Sequence, residues 1–216
     1  MVSRVKAPLA ACIACGGALL VVVLLAYAFG PAETLDTKLL IHFGAPQSTN
    51  TYEAAQGLAR LADPLPLLVM LAAVVAIALS WGGRREALAA VAVVAGANLT
   101  TQLLKGLLAH PRYQPYGDMI QVWSDAFPSG HATAAASIAV AMVLAAAPRA
   151  RPLAALAGAG FALAVGVALV VLQWHFASDV LGAYLVVAAW GFAALAGLRL
   201  TRPPDRGVSA ALARSV

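Results

Sequence analysis

Two histidines and one carboxylate stand where they could do chemistry together. His131 closes the stretch PSGH, residues 128–131, directly before a long alanine-rich run. His175 and Asp179 lie four residues apart in HFASD, at the start of another apolar run. On a helix, a carboxylate at that spacing accepts a hydrogen bond from one imidazole nitrogen and leaves the other free as a nucleophile. We therefore expect a reactive histidine at 175, oriented by Asp179.

The stretch PSGH has the features of an anion-binding helix start. Ser129 is a favoured N-cap residue, and Gly130 lets a bound group approach the backbone closely. The free amides at a helix N-terminus, with the helix dipole behind them, attract phosphate. His131 would stand inside this site, ready to give a proton to a departing oxygen or to take one from water.

Two cations precede that stretch. Asn98, Gln102 and Lys105 follow one another at helical spacing and share a face, and Arg112 comes seven residues after Lys105. Two cations held one loop apart suit an anion with several oxygens. The alternative is that Lys105 only reaches along its helix to the membrane interface.

A zinc site is the other chemistry that these side chains allow, because two histidines and one carboxylate can hold Zn²⁺. His131, His175 and Asp179 would be its ligands. Lys105 and Arg112, aimed at the same place, would repel a metal ion. We therefore expect no metal and no other cofactor.

The elements that carry these residues are membrane helices. The chain has 216 residues, of which 62% are hydrophobic and 11% charged, whereas soluble domains carry roughly 25% charged residues. An apolar helix of about 20 residues crosses the bilayer. We predict an all-α polytopic membrane protein, a six-helix bundle in a single domain over 1–200, with a basic tail over 201–216. The predicted spans are 8–29, 64–81, 86–109, 130–148, 152–172 and 177–198.

The basic residues predict the orientation of the bundle. Ten of the fourteen Lys and Arg residues fall on the side of the two termini, and Lys38, Arg60, Lys105 and Arg112 fall on the other. The positive side of a membrane protein faces the cytoplasm, so both termini should be cytoplasmic and the candidate site should face outward. Because the cations are scattered among short loops, they do not indicate a nucleic-acid partner.

The segment 30–63 is the longest polar stretch between spans. Within it, TYEAAQGLARLAD, residues 51–63, has the pattern of an amphipathic helix lying at the outer surface. A solvated connector is the alternative.

These residues together resemble the type 2 phosphatidic acid phosphatase (PAP2) superfamily of integral membrane lipid phosphatases. That family carries three signatures, K-x6-R-P, P-S-G-H and S-R-x5-H-x3-D, and the resemblance covers residues 95–185 and the six-helix layout. The three signatures together are highly specific, and FPSGHAT and HFASDVLGAYL are very similar to the family's wording.

The resemblance implies a role for each site residue. Lys105 and Arg112 would bind the phosphoryl oxygens, and Ser129 and Gly130 would complete that site. His131 would be the general acid, His175 would form a phosphohistidine, and Asp179 would orient it. The family's activity needs no metal. The resemblance implies a phosphatase that acts on a lipid mono- or diphosphate in the bilayer.

Two departures from the family's pattern stand out. Tyr113 replaces the final proline of the first signature, which is minor, and Leu169, preceded by Ala168, replaces the arginine of the third. Losing one preorganised donor costs on the order of a hundred- to a thousandfold in rate. Three interpretations stay open: a phosphatase with a compensating donor, with Gln173, His110 and Arg60 as candidates; a phosphotransferase of the same fold; or a binder of lipid phosphates that has lost turnover. The retained histidines and Asp179 favour catalysis.

The sequence does not choose among polyprenyl diphosphate, phosphatidic acid and phosphatidylglycerophosphate as substrates. Richness in Ala, Val, Arg and Gly is associated with high-GC bacteria, so we expect a multi-pass protein of a bacterial inner (plasma) membrane.

Overall fold

The structure is a computed structural model that describes residues 3–109 and 122–201. In these two ranges the chain forms eight helices and no strand. They are α1 (Ser3–Ala28), α2 (Gly30–Phe43), α3 (Asn50–Arg60), α4 (Pro64–Trp81), α5 (Arg84–Leu108), α6 (Gly130–Ala145), α7 (Arg151–Val171) and α8 (Ala177–Leu200).

The six predicted membrane helices are confirmed. Helices α1, α4, α5, α7 and α8 are long and apolar enough to cross a bilayer, and α6 is a shorter apolar helix of 16 residues. The predicted spans agree with these six helices to within a few residues at most ends, because long apolar runs bounded by Gly, Pro and charged residues mark helices clearly. The protein is an all-α membrane protein.

Helix α6 is the centre of the bundle and packs against α4, α5, α7 and α8. Most of its residues are buried, many of them alanine, and small residues let helix backbones approach closely. Its buried hydroxyls are paired: Thr133 Oγ1 lies 2.8 Å from Thr101 Oγ1 of α5, and Ser137 Oγ accepts from Asn98 Nδ2 at 3.3 Å. Polar contacts therefore fix α5 against α6.

The segment 30–63 contains two helices rather than one. Helix α3 includes the predicted amphipathic stretch from residue 51 to residue 60, and its N-cap residue is Thr49, whose hydroxyl accepts from the Tyr52 amide at 3.3 Å. The sequence did not predict α2. Its residue Asp36 is buried and accepts hydrogen bonds from the amide of Ser178 at 3.1 Å and from the Ser178 hydroxyl. Asp36 of α2 therefore caps the first turn of α8, although it belongs to a different helix.

Candidate active site

A cavity of about 790 Å³ lies where α5 ends and where α4 and α6 begin. The polar residues of the α5 face, Asn98, Gln102 and Lys105, all line it. The first turn of α6 and the turn before α8 also line it. The remaining lining residues are Ala62, Pro64, Leu67, Trp123, Asp125, Ala126, Gly130, His131, Ala134, Trp174 and His175.

His175 lies in the cavity wall with Asp179 behind it. His175 Nδ1 is 3.4 Å from Asp179 Oδ2, and the aspartate is fully buried. Nδ1 is buried and makes no hydrogen bond, so the ring and the carboxylate are close neighbours without being hydrogen-bonded. Catalytic hydrogen bonds are often loose in ligand-free structures and tighten in the complex. Since Nδ1 faces Asp179, Nε2 is the ring nitrogen left for a substrate.

Asp179 also holds the start of its own helix. Its Oδ2 accepts from the amide of Phe176 at 2.9 Å, as an acidic side chain in the first turn does in a capping arrangement. The same oxygen therefore fixes the backbone beside His175 and faces its ring. The hydrogen bond from the Phe176 amide helps the carboxylate tolerate complete burial, because a buried charge must be hydrogen-bonded.

The turn at residues 172–176 presents the His175 ring. The amides of Trp174 and His175 both point to the carbonyl of Leu169, at 3.1 and 3.4 Å, so α7 ends in a tight turn. Gln173 has a positive φ of 57° in this turn, and its side-chain amide donates to the carbonyl of Leu40 in α2 at 3.3 Å. Helix α2 thus braces the turn that carries the candidate nucleophile.

The first turn of α6 has the capping geometry that the sequence predicted. Ser129 is the N-cap residue, and its hydroxyl accepts from the amide of Ala132 at 3.3 Å. Gly130 and His131 line the cavity, whereas Ser129 is fully buried beneath them. The hydroxyl of Ser129 therefore supports the helix start, and its contact with a phosphoryl group stays a prediction.

Lys105 reaches the cavity from the last turn of α5. Its Nζ donates to the carbonyl of Asp125 at 2.5 Å, which holds the ammonium group against the segment before PSGH. Among the described residues it is the only Lys or Arg that lines the cavity. Arg112 and His110 lie outside the described residues, so the predicted second cation is not placed.

Asp63 is a site residue that the sequence analysis missed. Its Oδ1 lies 3.1 Å from His131 Nε2, and the two side chains are 44% and 31% exposed. The ring of Trp174 stands 5.9 Å from the His131 ring, tilted by 50°. An aspartate before Pro64 is typical of a helix N-cap. No feature of the neighbouring sequence indicates that its partner lies 68 residues further along the chain.

The position of the absent arginine is filled by apolar packing. Leu169 is fully buried in a cluster with Ala132, Ala135, Val165 and Ala183. The suggested substitutes do not reach the cavity in the described parts of the chain, because Gln173 donates to α2 and Arg60 is exposed at the end of α3. No compensating cation is visible there.

The zinc alternative finds no assembled ligand set. In the two described ranges, no three His, Cys, Asp or Glu side chains converge closely enough to hold a metal ion. His131 instead contacts Asp63, and His175 faces Asp179.

Comparison with known proteins identifies the family. Residues 86–201 match the PAP2 superfamily, and this chain belongs to it. Its fold is similar to that in the crystal structure of the first transmembrane PAP2-type phosphatidylglycerolphosphate phosphatase from Bacillus subtilis. The TM-score is 0.75 at 18% sequence identity, over 89% of this chain and 98% of the other. No curated protein sequence matches the chain significantly.

Proposed function

We propose that this protein is a membrane phosphatase that removes the phosphoryl group of a lipid phosphate through a phosphohistidine at His175. One observation carries the proposal: His175, His131, Lys105 and the first turn of α6 line the same cavity. Membership of the PAP2 superfamily and a fold shared with a membrane lipid phosphatase support it.

The first step transfers the phosphoryl group to the enzyme. His175 Nε2 attacks phosphorus, an N–P bond forms, and the P–O bond to the lipid breaks. Its electron pair goes to the leaving oxygen, which takes a proton from the imidazolium of His131. Asp179 stabilises the positive charge that develops on the His175 ring.

The second step restores the enzyme. Water attacks phosphorus, neutral His131 takes a proton from it, and the N–P bond breaks. Inorganic phosphate leaves, and His131 is again protonated. Throughout, Lys105 and the free amides of the first α6 turn balance the charge on the phosphoryl oxygens. Arg112 would add a second cation.

The position of the cavity supports a lipid substrate. It opens at the end of a bundle whose outer surface is apolar, so a lipid can remain in the bilayer while its head group enters. Phosphatidylglycerophosphate is one candidate, because the Bacillus structure bears that name. Phosphatidic acid and polyprenyl diphosphate remain equally compatible with the residues of the cavity.

The cavity would face away from the cytoplasm of a bacterial plasma membrane. Arg85 donates to the carbonyl of Leu198, which places the start of α5 beside the end of α8, opposite the cavity. Several arginines lie at that end, among them Arg84, Arg151 and Arg199. An excess of basic residues is typical of the cytoplasmic side of a membrane protein. In a variant without Cys12 and Cys15, an impermeant thiol reagent should label Ser48→Cys in intact cells but not Ala150→Cys. The opposite pattern would invert the topology.

The proposed activity is tested with purified protein in detergent. Phosphate release is measured from a panel of lipid mono- and diphosphates with EDTA present, for the wild type and for His175→Ala. We expect release from at least one substrate by the wild type and none by the variant. Equal release by both proteins would contradict the proposal.

Leu169, in place of the third-signature arginine, leaves phosphotransfer as a second candidate function. A cavity without the third-signature arginine stabilises the transition state of hydrolysis less, and transfer to an acceptor other than water is the alternative activity. Adding alcohols or a second lipid to the assay distinguishes the two: a transferase forms a new phosphate ester, and a hydrolase releases only inorganic phosphate. A protein that binds lipid phosphate and does neither would be a binder.

A further inference from the structure

The carboxylate of Asp63 is directed at His131 instead of at its own helix. Asp63 is the N-cap residue of α4, a position at which aspartate usually accepts from a first-turn amide. Its side chain makes no such bond, and its Oδ1 lies 3.1 Å from His131 Nε2. The Asp63 carboxylate thus contacts His131 of α6 and makes no cap hydrogen bond to the first turn of α4.

This contact gives each histidine of the cavity a carboxylate neighbour. His175 Nδ1 faces Asp179, and His131 Nε2 faces Asp63. A carboxylate that accepts from one imidazole nitrogen sets the tautomer of the neutral ring and holds its orientation. It also stabilises the protonated ring.

We propose that Asp63 is a positioning residue for the general acid, and this inference rests on the proposed function. Asp63 accepts from Nε2–H, so His131 presents Nδ1 to the leaving oxygen. In the first step the proton on Nδ1 moves to the lipid oxygen as the P–O bond breaks. The ring is then neutral with its hydrogen on Nε2, and Nδ1 is ready to take a proton from the attacking water.

A general acid matters in proportion to how poor the leaving group is. An alkoxide from a lipid phosphate needs the proton as the P–O bond breaks. A 4-nitrophenolate leaves without it, because the phenol is far more acidic than an alcohol. A defect in positioning the acid must therefore slow the first step with alkyl phosphates and slow it much less with aryl phosphates. A general loss of structure must appear on both.

The experiment compares kcat/KM on a short-chain lipid phosphate and on 4-nitrophenyl phosphate. This ratio reports only the steps up to departure of the leaving group, whereas kcat also includes the water attack in which His131 is the base. The variants are Asp63→Asn, Asp63→Glu and His131→Ala. The side chain of Asp63 makes no cap hydrogen bond that asparagine would have to replace, so Asp63→Asn should fold. Asp36→Asn is the matched control: it removes another carboxylate that braces the site through Ser178, but one that does not touch His131.

We expect Asp63→Asn to lose, in kcat/KM on the lipid phosphate, part of the roughly 10²- to 10⁴-fold that a general acid contributes, and to lose little on the aryl phosphate. His131→Ala should show the same selectivity more strongly, Asp63→Glu should recover part of the loss, and Asp36→Asn should slow both substrates equally. On the His131→Ala background, Asp63→Asn should cost nothing further.

Three results would overturn the inference. An equal loss on both substrates in Asp63→Asn would make Asp63 merely structural. Selective loss in His131→Ala without any in Asp63→Asn would reject the role of Asp63 and leave the proposed function standing. If His131→Ala itself shows no selectivity, the acid role of His131 fails and the inference fails with it.

Discussion

The backbone amide of Ser129 donates to the carbonyl of Asp179 at 3.1 Å. This bond joins the N-cap of α6 to the first turn of α8, and so joins the second signature of the family to the third. The candidate acid and the candidate nucleophile are positioned by one backbone contact between their helix starts. The site geometry therefore depends on how closely the chain before α6 packs on α8.

Gly182 makes that close packing possible. A Cβ at this position of α8 would lie 2.5 Å from Cζ of Phe127, which is fully buried just before PSGH. Gly182→Ala should therefore displace Phe127, cost about 1–3 kcal/mol in stability and lower kcat. Gly197→Ala is the control on the same helix, because a Cβ there meets nothing within 4 Å. Thermal unfolding in detergent and kcat check both variants. Equal Tm and kcat for the two variants would show that the packing of Phe127 on Gly182 does not position the chain before α6.

Asp179→Asn tests how His175 is oriented. The amide oxygen of asparagine can still accept from the Phe176 amide, so the helix start should survive. The charge that stabilises the His175 imidazolium is lost, and kcat should fall roughly 10²- to 10⁴-fold with little change in Tm. Unchanged kcat would mean that Asp179 only caps α8.

Lys105→Gln tests the cation of the cavity. A charge-assisted hydrogen bond contributes about 1.5–3 kcal/mol, so the inhibition constant for vanadate should rise roughly ten- to a hundredfold. Lys38→Gln is the matched control: Lys38 lies on α2 and does not line the cavity. Unaltered vanadate inhibition in Lys105→Gln would place this lysine outside the phosphate site.

Leu169→Arg restores the residue that the family's third signature carries. Leu169 is fully buried among apolar side chains, so the larger charged arginine should lower Tm by overpacking and by burying charge, without raising kcat. Leu169→Met conserves volume and should cost less than about 1.5 kcal/mol. A variant with wild-type Tm and higher kcat would show instead that the packing admits an arginine.

The sequence was sufficient for the membrane helices and for much of the cavity. Runs of apolar residues and the spacing of Asn98, Gln102 and Lys105 depend only on helix geometry, which is local. Helix α2 was missed because its sequence mixes charged and apolar residues, and the contact of Asp36 with Ser178 of α8 joins residues far apart in the chain.

Two features of the site depend on tertiary contacts that no local pattern encodes. Asp63 meets His131 only because α4 and α6 begin side by side, and its position before a proline suggests a cap. Gln173 was a candidate phosphate donor by its place near His175. The positive φ at this residue accompanies a side chain that donates to α2 instead.

The central claim is that His175 carries the phosphoryl group, and trapping the phosphoenzyme tests it most directly. Protein incubated briefly with a radiolabelled lipid phosphate is quenched in alkali, in which phosphohistidine survives, and the labelled peptide is identified by mass spectrometry. We predict label on the peptide containing His175, loss of that label in acid, and none in His175→Ala. Label that persists in His175→Ala, or that resides on another residue, would contradict the account.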